Sequence, residues 1–363
     1  MCGIYSVPGR SRQPDHGSSA ADSRPDGEEL GAPRRGFITG RSAGKLPISN
    51  HIIMNDLSLY RSLARHEWRS RRAHMEAGRK RHTRGGVFAK SRLLRLIVLV
   101  EPAVAAIGLR RRALANTQAL ELREVDLTVG GLPEAFDGYR ILQLSDIHVG
   151  RVPGLIKAAA AIVGGLEVDL AVLTGDIQTR GHPEAAVAAA EIAPLLAAIR
   201  ANDGILGVLG NHDRHDLPDH LEQRGVRMLI NESLVLERNG GRLRITGVDD
   251  VNNFFSDDAV RALRAPVEDP IPVSIALVHS PELADVASDA GYALYLAGHT
   301  HGGQICLPGG KPLLTATEYH QRLAAGAWRY GRMLGYTSRG VGVARRVRFN
   351  CPPEVTVLRL RRP

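Results

Sequence analysis

The stretch LQLSDIHVG, Leu142 to Gly150, is an apolar run that stops at a carboxylate and an imidazole one residue apart. In an extended backbone side chains alternate, so Asp146 and His148 fall on one side and Ile147 on the other. The pair makes a two-toothed metal clamp at a strand end. Alone it is a weak signal, since Asp-x-His is common in solvated loops. Four later apolar runs end in the same way: at Asp176 (DLAVLTGDI), at Asn211 and His212 (GILGVLGNHD), at His279 (SIALVHS), and at His299 and His301 (LYLAGHTHGG). In an open α/β sheet, ligands bind beyond the carboxyl ends of the strands, so five such ends can converge on one crevice. Asp146, His148, Asp176, Asn211, His279, His299 and His301 then supply enough ligands for two metal ions if one carboxylate bridges.

Each of these residues also has an ordinary use. Asp146 or Asp176 can cap a following helix, Asn211 can turn the chain after Gly210, and His279 on an apolar strand can be a core histidine with a satisfied hydrogen bond. Gly298, Gly302 and Gly303 can serve only tight turns. Seven such accidents in this order are far less probable than one shared site. Carboxylate, imidazole and amide oxygen suit Mn²⁺ first, then Fe or Zn²⁺, and no cysteine accompanies them to favour a softer site.

DIH, GD, GNHD, a lone VH and GHTHGG, in this order, resemble the calcineurin-like metallophosphoesterases from about Tyr139 to the C-terminus. Within that superfamily the likeness is greatest to bacterial membrane-associated members, through GHTHGGQ at Gly298 to Gln304, SRGVG at Ser338 to Gly342 and CPPEVTVLRL near the end. The resemblance implies an α/β fold of two mixed β-sheets packed as a sandwich and flanked by helices, in four layers. It implies one ion on Asp146, His148, Asp176 and His301 and another on Asp176, Asn211, His279 and His299, with Asp176 as the bridge. A hydroxide between the two ions would attack phosphorus, so no covalent phosphoenzyme is needed. His212 would contact the phosphoryl oxygen or protonate the leaving oxygen, and Asp213 is the candidate to orient that imidazole.

Outward from the first clamp, the core strands are expected at 139–145, 169–174 and 204–209, with helices at 153–164 and 182–200, a rhythm that argues for right-handed βαβ units. Residues 119–129 alternate as an edge strand. Residues 227–248 read as short strands around the turn Asn239, Gly240, Gly241, followed by a helix at 257–264. Residues 354–360 alternate as a last strand. His182, His215, His220 and His320 lack ligand spacing, although His215 lies close enough to His212 to touch substrate. Arg345, Arg346 and Arg348 fit either substrate phosphate or a solvated strand face. Cys2, Cys306 and Cys351 imply no disulfide framework.

The N-terminal third differs in character. Residues 1–92 read as a disordered or basic arm, 93–112 as a membrane-anchor or interfacial helix, and 113–363 as the metallophosphoesterase domain. The first 60 residues carry no periodicity, and Met54 and Met75 stand as alternative starts ahead of the first apolar segment. Between Tyr60 and Arg92, eleven Lys and Arg face two Glu, a net +9 that equals the charge of the whole 363-residue chain. The high pI of 9.8 therefore belongs to the arm. Leu93 to Leu109 is apolar except for Arg95 and Glu101 and is followed by Arg110, Arg111 and Arg112. It is shorter than the roughly 20 residues of a bilayer span, so an interfacial helix with snorkelling arginines fits better. Ser70, Arg71 and Arg72 match a twin-arginine signal poorly, because the apolar segment comes too late.

The resemblance to membrane-associated members, together with the apolar segment, implies hydrolysis of a phosphoester or pyrophosphate on a lipid-linked small molecule such as UDP-2,3-diacylglucosamine, as in lipid A assembly. The expected partners are that substrate and a membrane surface met through residues 60–112, at the bacterial inner membrane. Broad or nucleotide phosphodiesterase and phosphoprotein phosphatase are the alternatives within the same chemistry, and a metal-stabilised membrane scaffold is the alternative without catalysis. Nucleic acid is disfavoured: aromatic content is 4%, and outside the arm the chain has no net charge with which to hold a phosphate backbone.

Overall fold

The computed structural model describes residues 5–7, 50–78, 81–84, 86–88, 100–179, 184–266, 271–313, 315, 317 and 321–363. It contains two compact units, residues 9–66 and residues 1–8 with 67–363. The following concerns the second. Its strands are β1 (Tyr5–Val7), β2 (Arg81–Thr83), β3 (Gly86–Phe88), β4 (Glu121–Thr128), β5 (Arg140–Leu144), β6 (Leu170–Thr174), β7 (Ile205–Val208), β8 (Val226–Met228), β9 (Glu232–Arg238), β10 (Gly241–Gly247), β11 (Val273–Leu277), β12 (Leu294–Ala297), β13 (Gly326–Tyr330), β14 (Met333–Thr337) and β15 (Glu354–Arg361). One mixed sheet has the order β4-β15-β5-β6-β7-β8 and the other β1-β13-β14-β12-β11-β10-β9.

Side-chain alternation builds the layers. Ile141, Leu170 and Val172 point from the first sheet toward the second and meet Ile245, Ile275, Leu277, Leu294 and Leu296 in one buried core. Their neighbours Leu142, Leu144, Ala171 and Leu173 point the other way. There they pack against the helices Leu155–Val163 and Ala185–Ala198. On the outer face of the second sheet, Ala276, Val278, Tyr295 and Ala297 pack against the helices Asp257–Arg264 and Ala284–Asp289. This is the expected helix–sheet–sheet–helix sandwich. The parallel β5-β6-β7 run obeys the βαβ reading. The hairpin expected around Asn239 is β9 and β10, paired from Gly241 opposite Arg238.

Part of the N-terminal region is helical. A helix α1 spans Asn50–Ala77, and within it Trp68 and Arg72 are buried. Of the expected anchor, residues 93–99 lie outside the described residues. The rest forms two short helices, α2 (Val100–Ala106) and α3 (Arg110–Gln118). Val104 and Ala113 are buried against Val347, with Ile305 and Phe349 beside them. Glu101, the charge inside the apolar run, accepts the Arg346 amide at 2.9 Å. Among the described residues no helix is long and apolar enough to cross a membrane. Ile107 and Leu109, at the corner between α2 and α3, are 69% and 38% exposed.

Candidate metal centre

All seven candidate ligands come from the chain just beyond strands β5, β6, β7, β11 and β12. Five of them turn away from the strand with left-handed backbones: Asp146, His148, Asp176, His299 and His301, at φ between 46° and 72°. Non-glycine residues hold such a conformation only where surrounding bonds fix it. Here the Asp146 amide bonds the Gly175 carbonyl, and the His148 amide bonds the Asp176 carbonyl. The His299 amide donates to the Asp146 carboxylate at 2.9 Å. The turns are so close that glycine is required: a Cβ on Gly298 would lie 1.8 Å from Ser145 Oγ and 2.4 Å from Asp146 Oδ2.

The side chains form two groups, Asp146, His148 and His301, and Asp176, His279 and His299, each with its ligand atoms within 4.8 Å of one another. His148 Nε2 lies 3.1 Å from His301 Nε2 and 3.7 Å from Asp176 Oδ2. His279 Nε2 lies 3.3 Å from the same Asp176 oxygen and 3.3 Å from His299 Nδ1. Asp176 therefore faces both groups, as a bridge must. Its other oxygen accepts the His212 amide at 2.8 Å. Asn211 Oδ1 and His301 Nδ1 are buried with no hydrogen-bond partner among the described residues.

Tautomers decide what such a cluster can hold. His148 Nδ1 faces the Gln178 carbonyl at 3.0 Å and His279 Nδ1 faces the Thr174 carbonyl at 2.8 Å. A carbonyl only accepts, so both Nδ1 atoms carry protons. In the neutral rings each Nε2 then carries a lone pair, and both face the Asp176 carboxylate. Lone pairs and carboxylates crowded together repel unless a cation or a proton sits among them, and second-shell carbonyls of this kind set histidine for metal binding. The donor set fits divalent metal ions.

Without such ions, protons take part of that role. Burial would push the His279 imidazolium down, but the Asp176 carboxylate beside it overrides this and raises it to about 10. Burial lowers His148 to about 3 and raises Asp146 to about 7. Asp176 stays well below the usual carboxylate range, because His279, His212 and His148 outweigh its burial.

The calcineurin-like phosphoesterase profile matches residues 139–303, which contain all seven candidate ligands. YkuE of Bacillus subtilis (strain 168), an uncharacterized metallophosphoesterase, is 31% identical over 255 residues, covering 67% of this chain and 86% of its own. The chain belongs to the calcineurin-like phosphoesterases. Phosphodiesterase YaeI of Escherichia coli (strain K12) is 30% identical over 232 residues, 61% of this chain and 82% of that one. UDP-2,3-diacylglucosamine pyrophosphatase LpxG of Chlamydia muridarum is 24% identical over 292 residues, 63% of this chain and 86% of that one. The chain is accordingly a metal-dependent phosphoesterase with a site suited to a pair of divalent ions.

Asp213 does not orient the His212 imidazole. Its two carboxylate oxygens accept the Gln178 and Gly210 amides, each at 2.8 Å, so it fixes the loop that carries His212. The His212 Nε2 instead stands 3.9 Å from Asp176 Oδ2. Arg348 meets neither substrate nor solvent. It is fully buried and donates to the Arg339 and Gly342 carbonyls at 2.6 and 2.7 Å, beneath the turn of His301. Cys306 and Cys351 are free and buried there, both directed at the Gly302 carbonyl. His215 is held by Glu76 at 2.7 Å, a partner that no sequence spacing announces. His182 and His320 lie outside the described residues.

Proposed function

We propose that this phosphoesterase hydrolyses phosphodiester or pyrophosphate bonds with a metal pair held by Asp146, His148, Asp176 and His301 on one side and Asp176, Asn211, His279 and His299 on the other. The observation that carries this is the convergence of the His148 and His279 imidazole nitrogens on the Asp176 carboxylate, which faces both groups. Two divalent ions, Mn²⁺ being our first choice, supply Lewis-acid polarisation of the phosphoryl group and acidify water enough for attack near neutral pH.

The chain's own residues orient and transfer protons. His212 is positioned by its amide on Asp176, and its partly exposed ring is placed to hold a phosphoryl oxygen or protonate the leaving oxygen. Asp213 keeps the turn beneath it in place. The substrate we favour is a lipid-linked phosphoester such as UDP-2,3-diacylglucosamine, presented at a bacterial inner membrane. Exposed Ile107 and Leu109 followed by three exposed arginines support that choice, since apolar residues beside a basic cluster suit an anionic interface.

The test is hydrolysis of bis-p-nitrophenyl phosphate by full-length protein, metal-stripped and then supplied with Mn²⁺. Activity is expected only with metal; equal rates in both samples refute the mechanism. His212→Ala is expected to keep its bound metal while kcat falls by about 10²- to 10⁴-fold. A rate equal to the parent's removes His212 from the chemistry. A panel of lipid pyrophosphates, nucleotides and simple diesters then ranks the substrates.

A further inference from the structure

Helix α1 lies outside residues 139–303 and would be expected to have no part in the site. Trp68, Arg72 and Glu76 nevertheless share one of its faces, at the i, i+4 spacing that aligns side chains along a helix. Arg72 and Glu76 reach the segment 210–215 that carries Asn211 and His212, and Trp68 reaches Asp249, which Arg72 also holds. Arg71 and Arg72, a doublet that matches a twin-arginine signal only poorly, have opposite fates. Arg71 pairs at the surface with Asp258 at 2.7 Å, whereas Arg72 is 1% exposed.

The Arg72 guanidinium uses every edge. Nε pairs with Glu76 at 3.2 Å, and Nη1 bonds Asp249. Nη2 donates to the Gly210 carbonyl at 3.0 Å and the Asp213 carbonyl at 2.9 Å. Its face lies 3.6 Å from the centroid of the Phe254 ring. Gly210 and Asp213 are the two ends of the turn whose middle residues are Asn211 and His212. One nitrogen therefore pins both ends, and the planar fork spans turn and anchor together. Glu76 extends the grip one residue pair further, accepting from the His215 amide and meeting its ring, both at 2.7 Å. Trp68 Nε1 holds the other oxygen of Asp249 at 2.7 Å. From the far side, Asn253 Nδ2 donates to the Asn211 carbonyl at 3.2 Å.

We infer that Arg72 is a positioning residue of the hydrolytic site: delivered by the N-terminal helix, it fixes the Gly210–Asp213 turn so that Asn211 and His212 face the metal pair and the phosphoryl group. The inference rests on the proposed roles of those two residues. It makes the basic segment before the phosphoesterase domain a part of the working enzyme.

A merely structural Arg72 would only balance the buried charge of Asp249, and a paired substitution separates the two cases. In full-length Arg72→Met/Asp249→Asn, the guanidinium and its counter-charge go together. Thermal stability is expected to return close to the parent, while kcat on bis-p-nitrophenyl phosphate at saturating Mn²⁺ stays about 10- to 100-fold low with KM within about twofold. Amide hydrogen exchange of residues 210–214 in the metal-free protein is expected to accelerate, with the strands unchanged. Recovery of kcat along with stability, or unchanged exchange in that loop, overturns the proposal. If the paired variant does not fold, Arg72→Lys decides: it keeps the charge but cannot span both carbonyls, so parent kcat overturns the proposal and a tenfold loss at parent stability upholds it. Should the parent itself show no metal-dependent hydrolysis, the functional reading fails, and the exchange measurement still reports whether Arg72 orders the turn.

Discussion

Five strained backbones at candidate ligands are the molecule's clearest residue-scale statement. A left-handed non-glycine residue costs about 1–3 kcal/mol, and the amide and carboxylate bonds around Asp146 and Asp176 keep these residues in place. Gly298 permits the closeness of the turns. Gly298→Ala is expected to destabilise the protein by about 3 kcal/mol or more and to abolish metal uptake, measured by urea unfolding and elemental analysis. Parent-like values would show that the turn can yield. Arg348 invites a second test, since its removal leaves several buried carbonyls without a donor. Arg348→Leu is expected to cost about 3 kcal/mol of unfolding free energy, without the selective kcat loss expected of Arg72→Lys. The six residues that gather in the two groups were legible in the sequence because each ends an apolar run. Arg72, Glu76 and Arg348 were not, because nothing in a run of basic residues marks which one will be buried: that depends on acceptors supplied by Asp249, Gly210, Arg339 and Gly342, far away along the chain.

At the scale of elements, period-two and helical patterns located β4 to β7, the β9–β10 hairpin, the helix Asp257–Arg264 and β15 to within a few residues. The segment Leu93–Leu109 shows the limit of such reading. An apolar run can face lipid or protein, and its described part does some of each: Val104 packs on Val347 while Ile107 and Leu109 stay exposed. If that corner meets a bilayer, Ile107→Asp/Leu109→Asp should weaken cosedimentation with vesicles containing anionic lipid by about tenfold or more, as expected when two apolar contacts become charges. Hydrolysis of a soluble diester should be unchanged. Equal cosedimentation of parent and variant would remove this corner from any membrane contact.

For the whole molecule, the metal site links binding to pH. A pKa of about 10 for His279 in the metal-free fold exceeds its unfolded value of about 6.5. The stabilisation from that proton is complete below about pH 6.5 and is lost as pH rises through about 10. Metal must displace the same proton, together with any on Asp146, whose carboxyl is raised to about 7. Apparent Mn²⁺ affinity should therefore rise with pH from about 6 to about 10. Calorimetry near pH 7 in two buffers of different ionisation enthalpy should report net proton release, and identical heats would contradict it. The sandwich class came through the family resemblance that the strand-end motifs carry, whereas the partition of strands between its sheets could not be read from the sequence. That partition depends on β15, which lies between β4 and β5, parallel to one and antiparallel to the other. The strand nearest the end of the sequence is thus an interior strand of its sheet. During synthesis β4 and the facing edge of β5 stay unpaired until residues 354–361 have left the ribosome, and until then the nascent domain is open to faulty strand pairing.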